Sequence, residues 1–139
     1  MKNAKVTYIQ GLQFVGVASS GHAIVMDSDP GVGGNNTGPK PMELLLMGIG
    51  GCSGTDIISI LRKKQQDFTG LEINVKGEAA EDYPKKFTNI NLEFIVKGRN
   101  ISEDAVKRSL DLSMNKYCSV KATLEGSSKI SFSYKIIQE

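Results

Sequence analysis

Apolar and polar positions follow different periods along the chain, and the changes of period mark its elements. Lys5 to Ile9, Leu12 to Ala18 and Ala23 to Asp27 are short β-like runs. Gln10-Gly11 and Ser19-Ser20-Gly21 separate them with turn chemistry, which predicts an antiparallel meander. From Asp29 to Pro41 the pattern breaks down into glycine, proline and asparagine, a composition that predicts a loop. A long apolar stretch then begins at Pro41, where a first-turn proline is tolerated. Glu43 sits at its start and Arg62-Lys63-Lys64 at its end, matching the helix dipole. The prediction is one helix over about residues 41 to 66. Its leucines and isoleucines occur all round, so the expected place is the middle of the protein or of a dimer.

Leu71-Glu72-Ile73-Asn74-Val75 and Ile90-Asn91-Leu92-Glu93-Phe94 alternate as half-buried strands do, with Pro84-Lys85-Lys86 in the connection between them, so a second hairpin is expected. Ser102 can cap a second helix, with Glu103 and Asp104 in its first turn. Val106, Leu110 and Met114 line one side of it as far as Tyr117-Cys118. Lys129 to Ile137 alternates again as a last strand. The order is βββ-α-ββ-α-β, an α+β class with no βαβ repeat and no dinucleotide or phosphate loop.

Length and charge narrow the functional classes. The 139 residues suit a single domain, 1–139, able to bury a core without disulfides or metals. The formal net charge is only +2 and the charges are scattered, so no nucleic-acid partner is expected. MKNAKVTYIQ at the N-terminus holds no signal-like apolar run, and the expected location is the cytoplasm, where thiols stay reduced. Met42 to Leu61 is long enough to span a bilayer. Glu43, Asp56, Ser53, Thr55 and four glycines argue against insertion, since each mid-membrane carboxylate costs roughly 2.5–3.5 kcal/mol. No membrane partner is expected.

The heptapeptide Gly48-Ile49-Gly50-Gly51-Cys52-Ser53-Gly54 carries the most chemical information. A glycine inside a helix costs about 1 kcal/mol relative to alanine, so these four imply a kink or a close approach to another backbone. The plain reading is tight packing with Cys52 as a small hydrophobe. The functional reading is a kink whose exposed N–H groups lower the Cys52 thiol pKa. In a straight helix Glu43, nine residues upstream and about 13 Å along the axis, cannot touch Cys52, and Arg62 is similarly remote. Asp56, at i+4, can; its charge opposes a thiolate, and its plain reading is a helix-surface or inter-helix hydrogen bond. Cys118, between Tyr117 and Ser119, cannot be paired with Cys52 from sequence alone. A single histidine, His22, disfavours a zinc cluster or a cysteine–histidine nucleophile; it remains a possible neighbour or a plain strand residue. No cofactor and no metal are expected.

Residues Gly33 to Leu46, reading GGNNTGPKPMELLL, followed by Gly50-Gly51-Cys52-Ser53-Gly54-Thr55-Asp56, resemble the signature of the OsmC and organic hydroperoxide resistance superfamily. Lys116-Tyr117-Cys118-Ser119-Val120 resembles its second cysteine motif, and element order agrees over essentially the whole chain. The resemblance implies an OsmC-like fold: an intertwined α+β homodimer with central cysteine-bearing helices. It also implies a peroxidatic Cys52 that forms a sulfenic acid and a resolving Cys118 that condenses with it. The resulting disulfide would be reduced by a dithiol such as a lipoylated protein, a sequence consistent with general thiol chemistry. Two departures stand out. Peroxidase members hold the thiolate with an arginine from the N-terminal strands, whereas no arginine precedes Arg62 here and only Lys2, Lys5 and Lys40 are cationic. The family glutamate stands nine or ten residues before the first cysteine, positions that are Glu43 and Met42 here. The pattern resembles more closely an OsmC-like branch without the usual arginine.

The expected function is reduction of organic hydroperoxides by Cys52 and Cys118, with Glu43 in support. The expected pocket is apolar and contains Met42, Leu46, Ile49 and Tyr117. The alternatives are a non-catalytic dimer that binds a small apolar or thiol-containing ligand, and a redox sensor in which the disulfide reshapes a partner-binding face. Arg99 or Arg108 from a second copy could stand in for the missing arginine.

Overall fold

The computed structural model describes residues 1–139, which form two compact units, Met1–Leu45 and Leu46–Glu139. In the first, β1 (Ala4–Gln10), β2 (Gln13–Ala18) and β3 (Ala23–Met26) make the expected antiparallel meander in the order β1-β2-β3. Gly11 closes the first turn at φ 54 and Gly21 the second at φ 87, where a side chain would be strained. The following loop is held by the buried carboxylate of Asp27, which accepts N–H bonds from Ser28 (2.7 Å) and Thr37 (3.1 Å) and the Thr37 hydroxyl proton. These donors hold the Asp27 carboxyl down at about 2.

Helix α1 (Pro41–Lys63) starts at the end of this unit. It stops three residues earlier than expected, because Gln65 takes a left-handed conformation at φ 55. Ile49, Ser53, Ile57 and Leu61, spaced by four, are its fully buried stripe. The apolar residues off that stripe are not covered within the chain: Met42, Leu45 and Met47 are exposed. Burial of α1 on all sides, as its composition predicted, is therefore not achieved by one chain.

In the second unit β4 (Asp67–Ala79) and β5 (Phe87–Arg99) form an antiparallel hairpin, each strand much longer than its alternating run. The third strand, β6 (Lys129–Gln138), lies parallel to β5 on its other side, giving the order β4-β5-β6. The chain thus makes one parallel crossover between β5 and β6. Ile90, Leu92, Phe94 and Val96 of the central strand point to one face and are fully buried; burial stabilises each by roughly 1.5–3 kcal/mol. Ala105, Val106 and Leu110 from α2 (Glu103–Leu112) join them in one core with α1. Ser102 caps α2 as expected, its Oγ accepting the Ala105 N–H at 3.2 Å. The single second helix expected as far as Tyr117-Cys118 divides in two, α2 and a π-helical turn over Ser113–Tyr117, and a further helix, α3 (Ser119–Leu124), follows it. The α+β class holds, with α3 added to the predicted order.

Candidate active site

Glycine spacing sets how α1 meets the sheet of its unit. A Cβ at Gly50 would come 3.3 Å from Val75 Cγ2, and one at Gly54 would come 3.0 Å from Ile73 Cδ1. These two glycines let the helix ride close on β4. A Cβ at Gly51 would meet nothing within 4 Å. The helix is unbroken over Pro41–Lys63, so no helix N-terminus opens ahead of Cys52. The buried Ser53 hydroxyl donates back to the Ile49 carbonyl at 2.7 Å, so it adds no unpaired polar group. Cys52, half-buried on α1, packs against the core cluster that contains Cys118.

Cys118 stands at the junction of the π turn and α3. Its N–H donates to the Ser113 carbonyl at 2.8 Å, which closes the π turn, and its extended backbone makes it the residue before α3. Its Sγ accepts the Lys121 N–H at 3.4 Å. The side chain is 4 % exposed. Burial pushes the thiol up to about 11; the Lys121 N–H opposes this, while hydrogen bonding with Cys52 and the charges of Cys52 and Asp56 reinforce it. The two free thiols are therefore neighbours in one core cluster, close enough for Cys52 to raise the Cys118 thiol, and come from positions sixty-six residues apart. Single-turn π helices recur at functional sites.

Asp56, one turn beyond Cys52, accepts the hydroxyl proton of the buried Ser113 at 2.9 Å. This inter-helix bond ties α1 to the turn that presents Cys118. Beside it lies a largely apolar cavity of about 390 Å³, lined by Asp56, Ser59, Ile60, Lys63, Lys64, Leu112 and Tyr117. A second, shallower cavity of about 830 Å³ runs along α1 and β4; Leu46, Met47, Gly51, Ile58, Arg62 and Ile73 are among its lining residues.

The remaining predicted residues are dispersed. Tyr117 lines the cavity beside Asp56, Leu46 lines the groove along α1, and Ile49 is wholly buried in the core. Met42, Glu43 and His22 belong to the N-terminal unit. There Glu43 accepts the Lys40 N–H at 2.8 Å and caps the start of α1. His22 lies in the exposed turn between β2 and β3, its ring nitrogen 3.3 Å from Ser20 Oγ. No group of three His, Cys, Asp or Glu side chains converges to hold a metal ion. Ser113 and the Lys121 N–H are site features that sequence reasoning missed. Ser113 gives no local signal, because its partner is fifty-seven residues away. The Lys121 contact was detectable in principle, since a cysteine three residues before a free N–H can cap a short helix.

The fold and the paired thiols define an α+β dithiol protein. The chain belongs to the OsmC-like protein family, whose model matches residues 33–133. It is 45% identical to Protein YhfA of Escherichia coli (strain K12) over 134 residues, which is 96% of this chain and 97% of that protein. A crystal structure of a hypothetical protein from Aquifex aeolicus VF5 superimposes with a TM-score of 0.88 at 32% identity, covering 100% of this chain and 98% of that one. The structure of a putative osmotic stress induced and detoxification response protein from Psychrobacter arcticus 273-4 gives 0.84 at 19% identity, over 97% and 96% of the two chains, and bears on the fold alone.

Proposed function

We propose that the chain is a thiol-dependent peroxidase that reduces organic hydroperoxides. The observation that carries this reading is that the half-buried Cys52 packs against the core cluster holding the buried Cys118, close enough to raise that thiol. In the proposed cycle the Cys52 thiolate attacks the outer oxygen of ROOH, breaking the O–O bond and leaving Cys52 as a sulfenic acid; the alkoxide takes a proton and departs as ROH. Cys118 then attacks the Cys52 sulfur. Its proton and the displaced hydroxide leave as water, and the Cys52–Cys118 disulfide forms. An external thiol reductant restores both thiols. The apolar cavity beside Tyr117 suits the organic part of the peroxide, and Lys63 and Lys64 are the cations at its wall.

The reading includes a second copy of this chain, packed along the groove of α1 and β4, where Met47 is exposed and Gly51 leaves open space. Peroxide titration tests the chemistry. Stoichiometric cumene hydroperoxide added to the reduced protein is expected to convert both thiols to one intramolecular disulfide, seen by intact mass and peptide mapping. Cys52→Ser is expected to abolish the reaction and Cys118→Ser to leave an over-oxidised Cys52. Oxidation no faster than that of a free thiol would sink the peroxidase reading. The charge of Asp56 one turn from Cys52, with no arginine before Arg62, favours the alternative of a non-catalytic ligand-binding dimer. In that case both cysteine variants keep their affinity for an apolar ligand.

A further inference from the structure

Ser113 binds in two directions. Its hydroxyl donates to the Asp56 carboxylate of α1 at 2.9 Å, and its carbonyl accepts the Cys118 N–H at 2.8 Å. One residue thus grips the helix that carries Cys52 with its side chain and the backbone of Cys118 with its main chain. The path between the cysteines is short at both ends. Asp56 follows Cys52 by four positions, about 6 Å along the same face of α1, and Cys118 is bound directly. The direction of the hydroxyl sets Ser113 apart. Ser53 and Ser109, likewise 0 % exposed, return their hydroxyls to carbonyls of their own helices, Ile49 and Val106, at 2.7 Å. Ser113 directs its proton to another element instead. Asp56 in turn has no cation: none of the chain's ion pairs includes it, and the Ser113 hydroxyl is the one hydrogen-bond donor on its carboxylate. A carboxylate with no counter-ion is a poor activator of a thiol, but as an anchor it makes a charge-assisted bond, roughly twice as strong as a neutral one.

We propose that Ser113, anchored on Asp56, is the positioning residue for disulfide closure: it sets the reach of Cys118 to Cys52 and takes no part in the attack of Cys52 on an oxidant. The inference rests on the dithiol reading above and adds the residues that govern its second step. In that step the Cys118 sulfur bonds to the Cys52 sulfur and the bond from Cys52 to its leaving group breaks. When Cys52 is a sulfenic acid, the Cys118 proton leaves with the displaced hydroxide as water. Ser113 and Asp56 exchange no atom in this. What they supply is arrangement, and a misplacement of about 1 Å between reacting groups can slow a step by about a hundredfold. Asp56 therefore stands beside the thiols for its hydrogen bond, at the expense of a charge that opposes the Cys118 thiolate.

The test uses dithiobis-nitrobenzoate in place of peroxide, so that it does not depend on the peroxidase reading. The Cys52 thiolate captures one half of the reagent and expels a coloured thionitrobenzoate, at a rate set by reagent concentration. Cys118 then expels the second, its proton passing to solvent, at a rate independent of reagent. In Ser113→Ala the closure phase is expected to slow by about tenfold or more while capture stays within about twofold. Asp56→Asn keeps an oxygen to accept the Ser113 proton and is expected to close within about threefold of the parent. Asp56→Ala has no acceptor and is expected to match Ser113→Ala; the two changes together are expected to be no worse than either alone. If Ser113→Ala does not fold, Asp56→Ala at its half-buried position carries the same expectation. Closure at the parental rate in Ser113→Ala or Asp56→Ala would overturn the inference, as would closure as slow in Asp56→Asn as in Asp56→Ala. No closure phase in the parent protein would overturn it together with the dithiol reading. Two clear phases in a protein that cumene hydroperoxide does not oxidise would remove the peroxidase reading alone.

Discussion

The ionisation of Cys118 is the residue-scale property with the clearest measurable consequence. Its thiol is raised from an ordinary 9.0 to about 11, chiefly by burial, so folding favours the protonated form. The associated stabilisation is fully present below pH 9 and is lost as pH rises from 9 to 11, because the unfolded thiol ionises first. Two pH units correspond to at most about 2–3 kcal/mol. Urea unfolding of the reduced protein at a series of alkaline pH values, compared with Cys118→Ser, is expected to show this extra loss only in the protein that keeps Cys118. Parallel curves for the two would mean that the thiol is solvated in the folded state. In the proposed cycle the same property means that Cys118 attacks from its protonated form and not by standing ionised.

At the scale of elements, α1 is positioned by what its glycines omit. A valine at Gly54 would drive its branch into Ile73, and since the Cβ alone already comes within 3.0 Å, the helix would have to lift from β4. Gly54→Val is expected to cost about 1–3 kcal/mol in urea unfolding and to slow disulfide formation by moving Cys52 away from Cys118. An unchanged midpoint would show that the helix and strand have room to spare. The sequence made α1 legible because length, dipole charges and apolar content agree. Its buried side was not legible: Leu45, Met47 and Ile57 look alike in composition, and only packing into the core cluster chooses Ile57. The core strands could be read from the alternation of Ile90, Leu92 and Phe94. The division of the second helix could not, because Ser113 to Tyr117 has no break residue and the π turn follows from tertiary contacts. The two cysteine motifs located the dithiol through resemblance, while the Asp56–Ser113 tie depends on a long-range contact that no local pattern carries.

As a whole molecule, the single chain leaves large apolar side chains exposed in both of its units. In the N-terminal unit Val6, Tyr8, Ile9 and Ile24 are each about half exposed; in the other, Met47 is 54 % exposed beside the groove along α1 and β4. Apolar side chains exposed in a large patch mark a surface that a partner can cover. Helix α1 is also long and apolar enough, by length and composition, to cross a membrane, and the stripe docked on the sheet accounts for only part of that character. The proposed second copy supplies cover for the rest. The groove offers it a helix face with no side chain at Gly51, so another helix can approach closely there. Sedimentation equilibrium is expected to return twice the chain mass of 15.0 kDa. Met47→Glu with Gly51→Glu places two carboxylates in that seam and is expected to shift the protein toward monomer; the fold of each chain should be kept, since neither residue belongs to its core. Comparing the rate of disulfide formation in this variant with that of the parent then separates two designs. A monomeric variant that oxidises at the parental rate would show that one chain holds the complete site, whereas a loss of rate that returns when dimerisation is forced by concentration would assign part of the site to the second copy.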